Sequence, residues 1–104
     1  MAEHASVSVV ARYLAKAGKE EQVKQTLLDM VAPTRQEEAN ISYDLYQAKG
    51  QPAMFILEEN WRSQEGLAQH MRARYFRAMD AAMADLLAEH YTVDVTEMIS
   101  PPAT

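Results

Sequence analysis

Glu59, Trp61 and His70 fall close together, and Phe76 follows six residues after the histidine. Trp61 is the only tryptophan of the chain and His70 one of three histidines. An imidazole, whose ordinary pKa is about 6.5, is the natural proton acceptor at neutral pH. A carboxylate can hold such a ring in one tautomer or offset its cation, by the logic of an oriented base. Asn60 could donate a hydrogen bond to a developing oxyanion, and Trp61 and Phe76 would supply flat walls, with Tyr43 or Tyr46. The set suits an aromatic ligand better than a metal or a phosphate. The histidines have no helical or hairpin pairing of the kind metal ligands need, and no glycine-rich phosphate loop is present.

Composition narrows the field further. The 104 residues are enough for one domain, residues 1–104 with a core over about 6–99. The net charge of −5 argues against a phosphate-binding surface, and no Lys/Arg cluster sits beside aromatics as nucleic-acid binding would need. The absence of cysteine excludes disulfides, thiolate metal sites and a cysteine nucleophile. Met1 to Ala5 lacks the regions of a signal peptide, and no apolar run approaches membrane length, so a cytoplasmic protein is expected.

Periodicity supplies the framework that carries these residues. Residues 6–14 are β-branched and roughly alternating, a strand. Lys16 to Gly18 make a turn, and Val23, Leu27, Met30 and Val31 recur at helical spacing through about residue 32. Pro33 marks a break or a new first turn, and Ala39-Asn40 closes the segment, with Asn suited to a left-handed cap. Ile41, Tyr43 and Leu45 alternate with polar neighbours as a second strand. Lys49 to Pro52 turn the chain into a third strand, Ala53 to Trp61, completing a hairpin. Ser63 is a good N-cap for a second helical region, and Glu65 lies in its first turn, where the helix dipole favours it.

That region carries two apolar stripes. Leu67 and Met71 centre one, while Tyr75, Phe76, Met79, Met83, Leu86 and Leu87 centre another, roughly 100° away. One straight helix cannot bury both on the same sheet. The pattern therefore predicts a short helix over about 63–71, a break near Arg72–Arg74, and a longer helix to about residue 89. His70 would sit at the break. Tyr91 to Ile99 alternates as a fourth strand, and residues 100–104 form a frayed tail.

The order βαββαβ implies an α+β sandwich of the ferredoxin-like kind, an antiparallel sheet with helices on one face. Apolar residues at both parities of the strands (Val9 and Val10; Phe55, Ile56 and Leu57) leave a second face in need of cover. A homodimer through the sheet faces is expected.

Ala32-Pro33-Thr34-Arg35-Gln36-Glu37, Ser42-Tyr43-Asp44-Leu45-Tyr46-Gln47, Glu59-Asn60-Trp61-Arg62-Ser63, and His70 with Phe76 resemble the antibiotic biosynthesis monooxygenase (ABM) domain family. The resemblance covers about residues 6–99 and implies the dimeric α+β barrel fold. Family members include small quinol monooxygenases, cofactor-independent oxygenases of polycyclic phenols, signal-molecule degraders and haem-degrading enzymes. The haem branch is disfavoured. Its Trp is matched by Trp61, but the first strand lacks its Asn, and no His lies over residues 75–82. Ala39-Asn40 replaces a common Pro-Gly or Ala-Gly turn, and Tyr75 stands where many members have a second His.

The resemblance implies a cofactor-independent monooxygenase acting on a small aromatic substrate, a quinol or polycyclic phenol, with dioxygen. Deprotonation makes such a substrate electron-rich enough to reduce dioxygen directly. His70, Glu59 and Asn60 are the candidate catalytic residues, and Trp61, Phe76, Tyr43, Tyr46 and Met79 the candidate substrate contacts, with no cofactor and no metal. Plainer readings stand beside these. Tyr43 alternates with Ile41 and Leu45 as core would, and Glu59 could bridge to Arg62 or Arg72. Met79 and Met83 could simply pack. Arg35 and Glu37 form a solvated helix end. The alternative function is a protein that binds, degrades or isomerises a signalling metabolite on the same scaffold.

Overall fold

The computed structural model describes residues 5–103, so the N-terminal stretch read for a targeting segment lies outside it up to His4, as does Thr104. The elements run β1 (Val7–Leu14), α1 (Glu20–Leu28), α2 (Val31–Arg35), β2 (Asn40–Gln47), β3 (Met54–Trp61), α3 (Gln64–Arg72), α4 (Arg74–Leu86) and β4 (Thr92–Thr96). The four strands form one antiparallel sheet in the order β2-β3-β1-β4, the expected ferredoxin-like arrangement. No helix among the described residues is long and apolar enough to cross a membrane.

Alternation fixes which side chains meet the helices. Val7, Val9, Ala11 and Tyr13 of β1 are buried, and register places them opposite Trp61, Glu59, Leu57 and Phe55 of β3. On this face Val23 and Leu27 of α1, one turn apart, pack with Met79 and Met83 of α4, likewise one turn apart. Burying a side chain such as Leu27 or Phe55 contributes about 1.5–3 kcal/mol. On the opposite face Ser8, Val10, Leu14 and Ile56 are only partly buried, and Tyr46 is 49% exposed.

Four boundaries depart from the sequence pattern. The first helix ends at Leu28, short of residue 32, because Pro33 has no N–H for the carbonyl of Asp29 and its ring would strike that carbonyl. The chain restarts as α2, with Pro33 in its first turn. Asn40 is not a left-handed cap. No described residue other than Gly18 has positive φ, and Asn40 opens β2, where its Nδ2 donates to the Ser42 carbonyl at 3.0 Å across a bulge. The last helix stops at Leu86 instead of 89, since Leu87 turns extended to bridge Ala15 and bury itself in the core. The fourth strand ends at Thr96 because Ser8, one residue from the start of β1, is already its partner. Met98 and Ile99 continue exposed.

The inferred break is present. Ala73 is extended (φ −64, ψ 144) and separates α3 from α4, so each helix buries its own residues, Leu67 and His70 on α3 and Met79 and Met83 on α4, while Met71 of the first stripe stays exposed. Ser63 caps α3, its Oγ accepting from the Gly66 N–H at 3.0 Å. Gly66 itself packs where a side chain would not fit: a Cβ there would lie 2.2 Å from the Ala39 Cβ.

Candidate functional site

His70, in the last turn of α3, is 2% exposed and sits among aromatic rings. Trp61, at the end of β3, lies with its ring centre 4.8 Å away, and Phe76, in the first turn of α4, meets the imidazole edge-on at 5.1 Å. Tyr43 and Tyr75 approach edge-on at 5.9 Å each. The Ala73 break makes this possible, because it lets consecutive helices aim His70 and Phe76 at one another.

The carboxylate beside the imidazole is Glu37, not Glu59. Glu37 Oε2 lies 2.7 Å from His70 Nδ1, and the same oxygen accepts a hydrogen bond from the Tyr75 hydroxyl. Tyr75 in turn lies 3.3 Å from Oγ1 of buried Thr34. Burial, helped by the Glu37 contact, raises the Tyr75 phenol to about 12, so it remains a donor. Glu37 is thus not part of a solvated helix end. Arg35 does sit at the surface, donating to Asp44 at 2.9 Å and to the Tyr43 carbonyl at 3.1 Å.

Glu59 is committed elsewhere. Its Oε1 accepts from Trp61 Nε1 at 3.0 Å, with no bridge to Arg62 or Arg72 among its described contacts. Burial pushes its carboxyl up to about 7, the Trp61 bond pulls it partly back, and the charge of Glu37 adds to the rise. Glu59 and His70 both line a cavity of about 70 Å³ with Val9, Leu67 and Phe76, to which Tyr13 and Tyr91, stacked at 4.6 Å, also contribute. The cavity has room for about two waters or a dioxygen, against the roughly 150 Å³ that accommodates benzene. A ring-sized ligand must therefore displace side chains, and Met71, Val93 and Val95, all more than 40% exposed, border the cavity.

The remaining expected residues separate. Asn60 points to the other sheet face, where its side chain accepts from Ser8 at 2.6 Å and donates to Ser42 at 2.9 Å. It cannot serve an oxyanion in the His70 cavity. Tyr46 is on that far face too, opposite Ile56 in the β2–β3 register. Met79 packs in the core cluster and is not among the cavity's lining, and Tyr43 is fully buried core that touches His70 only by its edge. The sequence reading missed Glu37, Tyr91, Val93 and Val95. Alternation of the last strand was a signal for the two valines, but nothing local marked Glu37. No cluster of three His, Cys, Asp or Glu among the described residues is placed to hold a metal ion.

The antibiotic biosynthesis monooxygenase family model matches residues 6–82, spanning β1 through most of α4 and thus every residue around His70 named so far except those of β4 and Tyr91. The chain belongs to this family of monooxygenases. Among relatives, Rv0793 of Mycobacterium tuberculosis is 29% identical over 89 residues, covering 86% of this chain and 87% of its own. YcnE of Bacillus subtilis is 28% identical over 83 residues, covering 80% and 87%. The names of both assign them provisionally to the monooxygenases. The solved structure of Rv0793 superposes with a TM-score of 0.88 at 27% identity, covering 93% of this chain and 98% of that one. PA3566 from Pseudomonas aeruginosa, at 24% identity, shares the fold with a TM-score of 0.86 over 96% and 99%.

Proposed function

We propose that this family member oxidises a quinol or polycyclic phenol with dioxygen, the substrate supplying the electrons and His70 serving as base. The supporting observation is a buried histidine enclosed by four aromatic rings, with one nitrogen engaged by a carboxylate and the ring bordering an apolar cavity. The substrate hydroxyl gives its proton to the imidazole, and the O–H electron pair stays on the substrate as an electron-rich phenolate. One oxygen atom of dioxygen then enters the ring and the other leaves as water. The hydrogens of that water are the ones lost from the O–H and the reacting C–H.

A second reading has its own observation. Glu59, with a carboxyl near 7, faces the same cavity as His70, and two such groups suit proton shuttling in an isomerase. Oxygen uptake with a panel of hydroquinones, on protein freed of metal by chelation, decides between them. Wild type should consume oxygen, and His70→Ala should do so about 10²-fold more slowly or worse, with its melting temperature nearly unchanged. No uptake with any quinol would remove the first reading.

A further inference from the structure

We propose that Glu37 is the positioning residue of this site, holding the proton of His70 on Nδ1 so that Nε2 is the nitrogen presented to the cavity. The inference rests on His70 being the base. Three segments converge to make the clamp: the link between α2 and β2 supplies Glu37, α3 supplies His70 and α4 supplies Tyr75. Oε2 of Glu37 takes the Tyr75 hydroxyl and lies 2.7 Å from Nδ1, so a single oxygen ties both helices to the link. With Nδ1 occupied, Nε2 is the only nitrogen left to meet a ligand.

Glu37 acts through His70 and does not touch the reacting atoms. It is absent from the His70 cavity and lines a separate polar groove with Arg62, Ser63 and Gln69. Its side chain is 23% exposed, whereas that of His70 is 2% exposed. The imidazole therefore forms a partition, apolar cavity on one side and a solvent-touched carboxylate on the other. Among the described residues, the other ionisable groups around the ring are Tyr75 from α4, Tyr43 from β2 and Glu59 from β3, which is engaged by Trp61. No cation is among these neighbours, so Glu37 is the group placed to offset an imidazolium. During turnover the substrate proton moves to Nε2 while the Nδ1 proton stays against Glu37. The same proton then returns to the oxygen that departs as water, and none is released.

Two full-length variants test this. Glu37→Gln keeps size and an acceptor oxygen but removes the charge, and Glu37→Leu removes both. Nitrogen-15 NMR of the neutral His70 ring should show Nδ1 protonated in the wild type and a mixture of tautomers in Glu37→Leu. In quinol-dependent oxygen uptake, Glu37→Gln should lower kcat about 10–100-fold while KM changes less than about twofold. Unchanged ring signals in Glu37→Leu, or full kcat in Glu37→Gln, would overturn the assignment. Loss of the single tautomer in a protein that oxidises no quinol would instead uphold Glu37 and remove the quinol reading.

Discussion

The layer between helices and sheet has two unlike halves. Around Tyr13, Val23, Leu27, Phe55, Leu57 and Met83 the buried side chains are apolar but for two phenols, Tyr13 and Tyr43. Around Val7, Val9, Trp61 and Leu67 lie the buried polar side chains of the described chain: Asn40, Glu59 and His70, with Thr34 joined to them through Tyr75. Each of these four costs desolvation, and a small domain has only about 5–15 kcal/mol of net stability. Their gathering at one end separates an apolar half that holds the chain together from a half that, on the proposed function, carries the chemistry.

The largest effect on that division is expected in the apolar half. Leu27 is fully buried, and Leu27→Ala should cost about 2–5 kcal/mol in denaturant unfolding while leaving activity at low temperature intact. Loss of activity without loss of stability would mean that the halves are not separable.

The polar half should respond in the opposite sense. Glu59 titrates near 7 in the folded chain against an ordinary 4.5, so the native state holds the extra proton between those values. Stability from this group is complete below about pH 4.5 and falls as pH rises through about 7. Glu59→Gln, which keeps an acceptor for Trp61, should therefore stabilise the protein by about 1–2 kcal/mol at pH 8 and hardly at all at pH 4. Equal unfolding curves for the two proteins at pH 8 would count against a buried, costly carboxylate. The smallest effect belongs to the far face. Asn60→Ala should lose about 1 kcal/mol with its two serine contacts and alter oxygen uptake less than about twofold.

The fold was legible because its signals are local. Two apolar stripes out of phase required the joint at Ala73, and alternation located β1 and β3 within a residue. Alternation also held more than was drawn from it. Asn60 stands between Glu59 and Trp61 and so must face away from both, and Tyr46 cannot share a face with Tyr43. Glu37 was beyond reach for a different reason. It lies in an acidic, aperiodic stretch, 33 residues from the histidine it contacts, and only the packing of α3 on the α2–β2 link unites them.

That packing has a gauge. Gly66 and His70 are one helical turn apart on the same side of α3, and Ala39 and Glu37 are two residues apart on the link they face. A methyl on Gly66 would have to move from 2.2 Å to ordinary contact distance, more than an ångström, and α3 would carry His70 with it. A hydrogen bond set at 2.7 Å does not survive such a shift. The alignment of acid and base is thus machined to a tolerance finer than one carbon atom, and the part that sets it is a residue with no side chain at all.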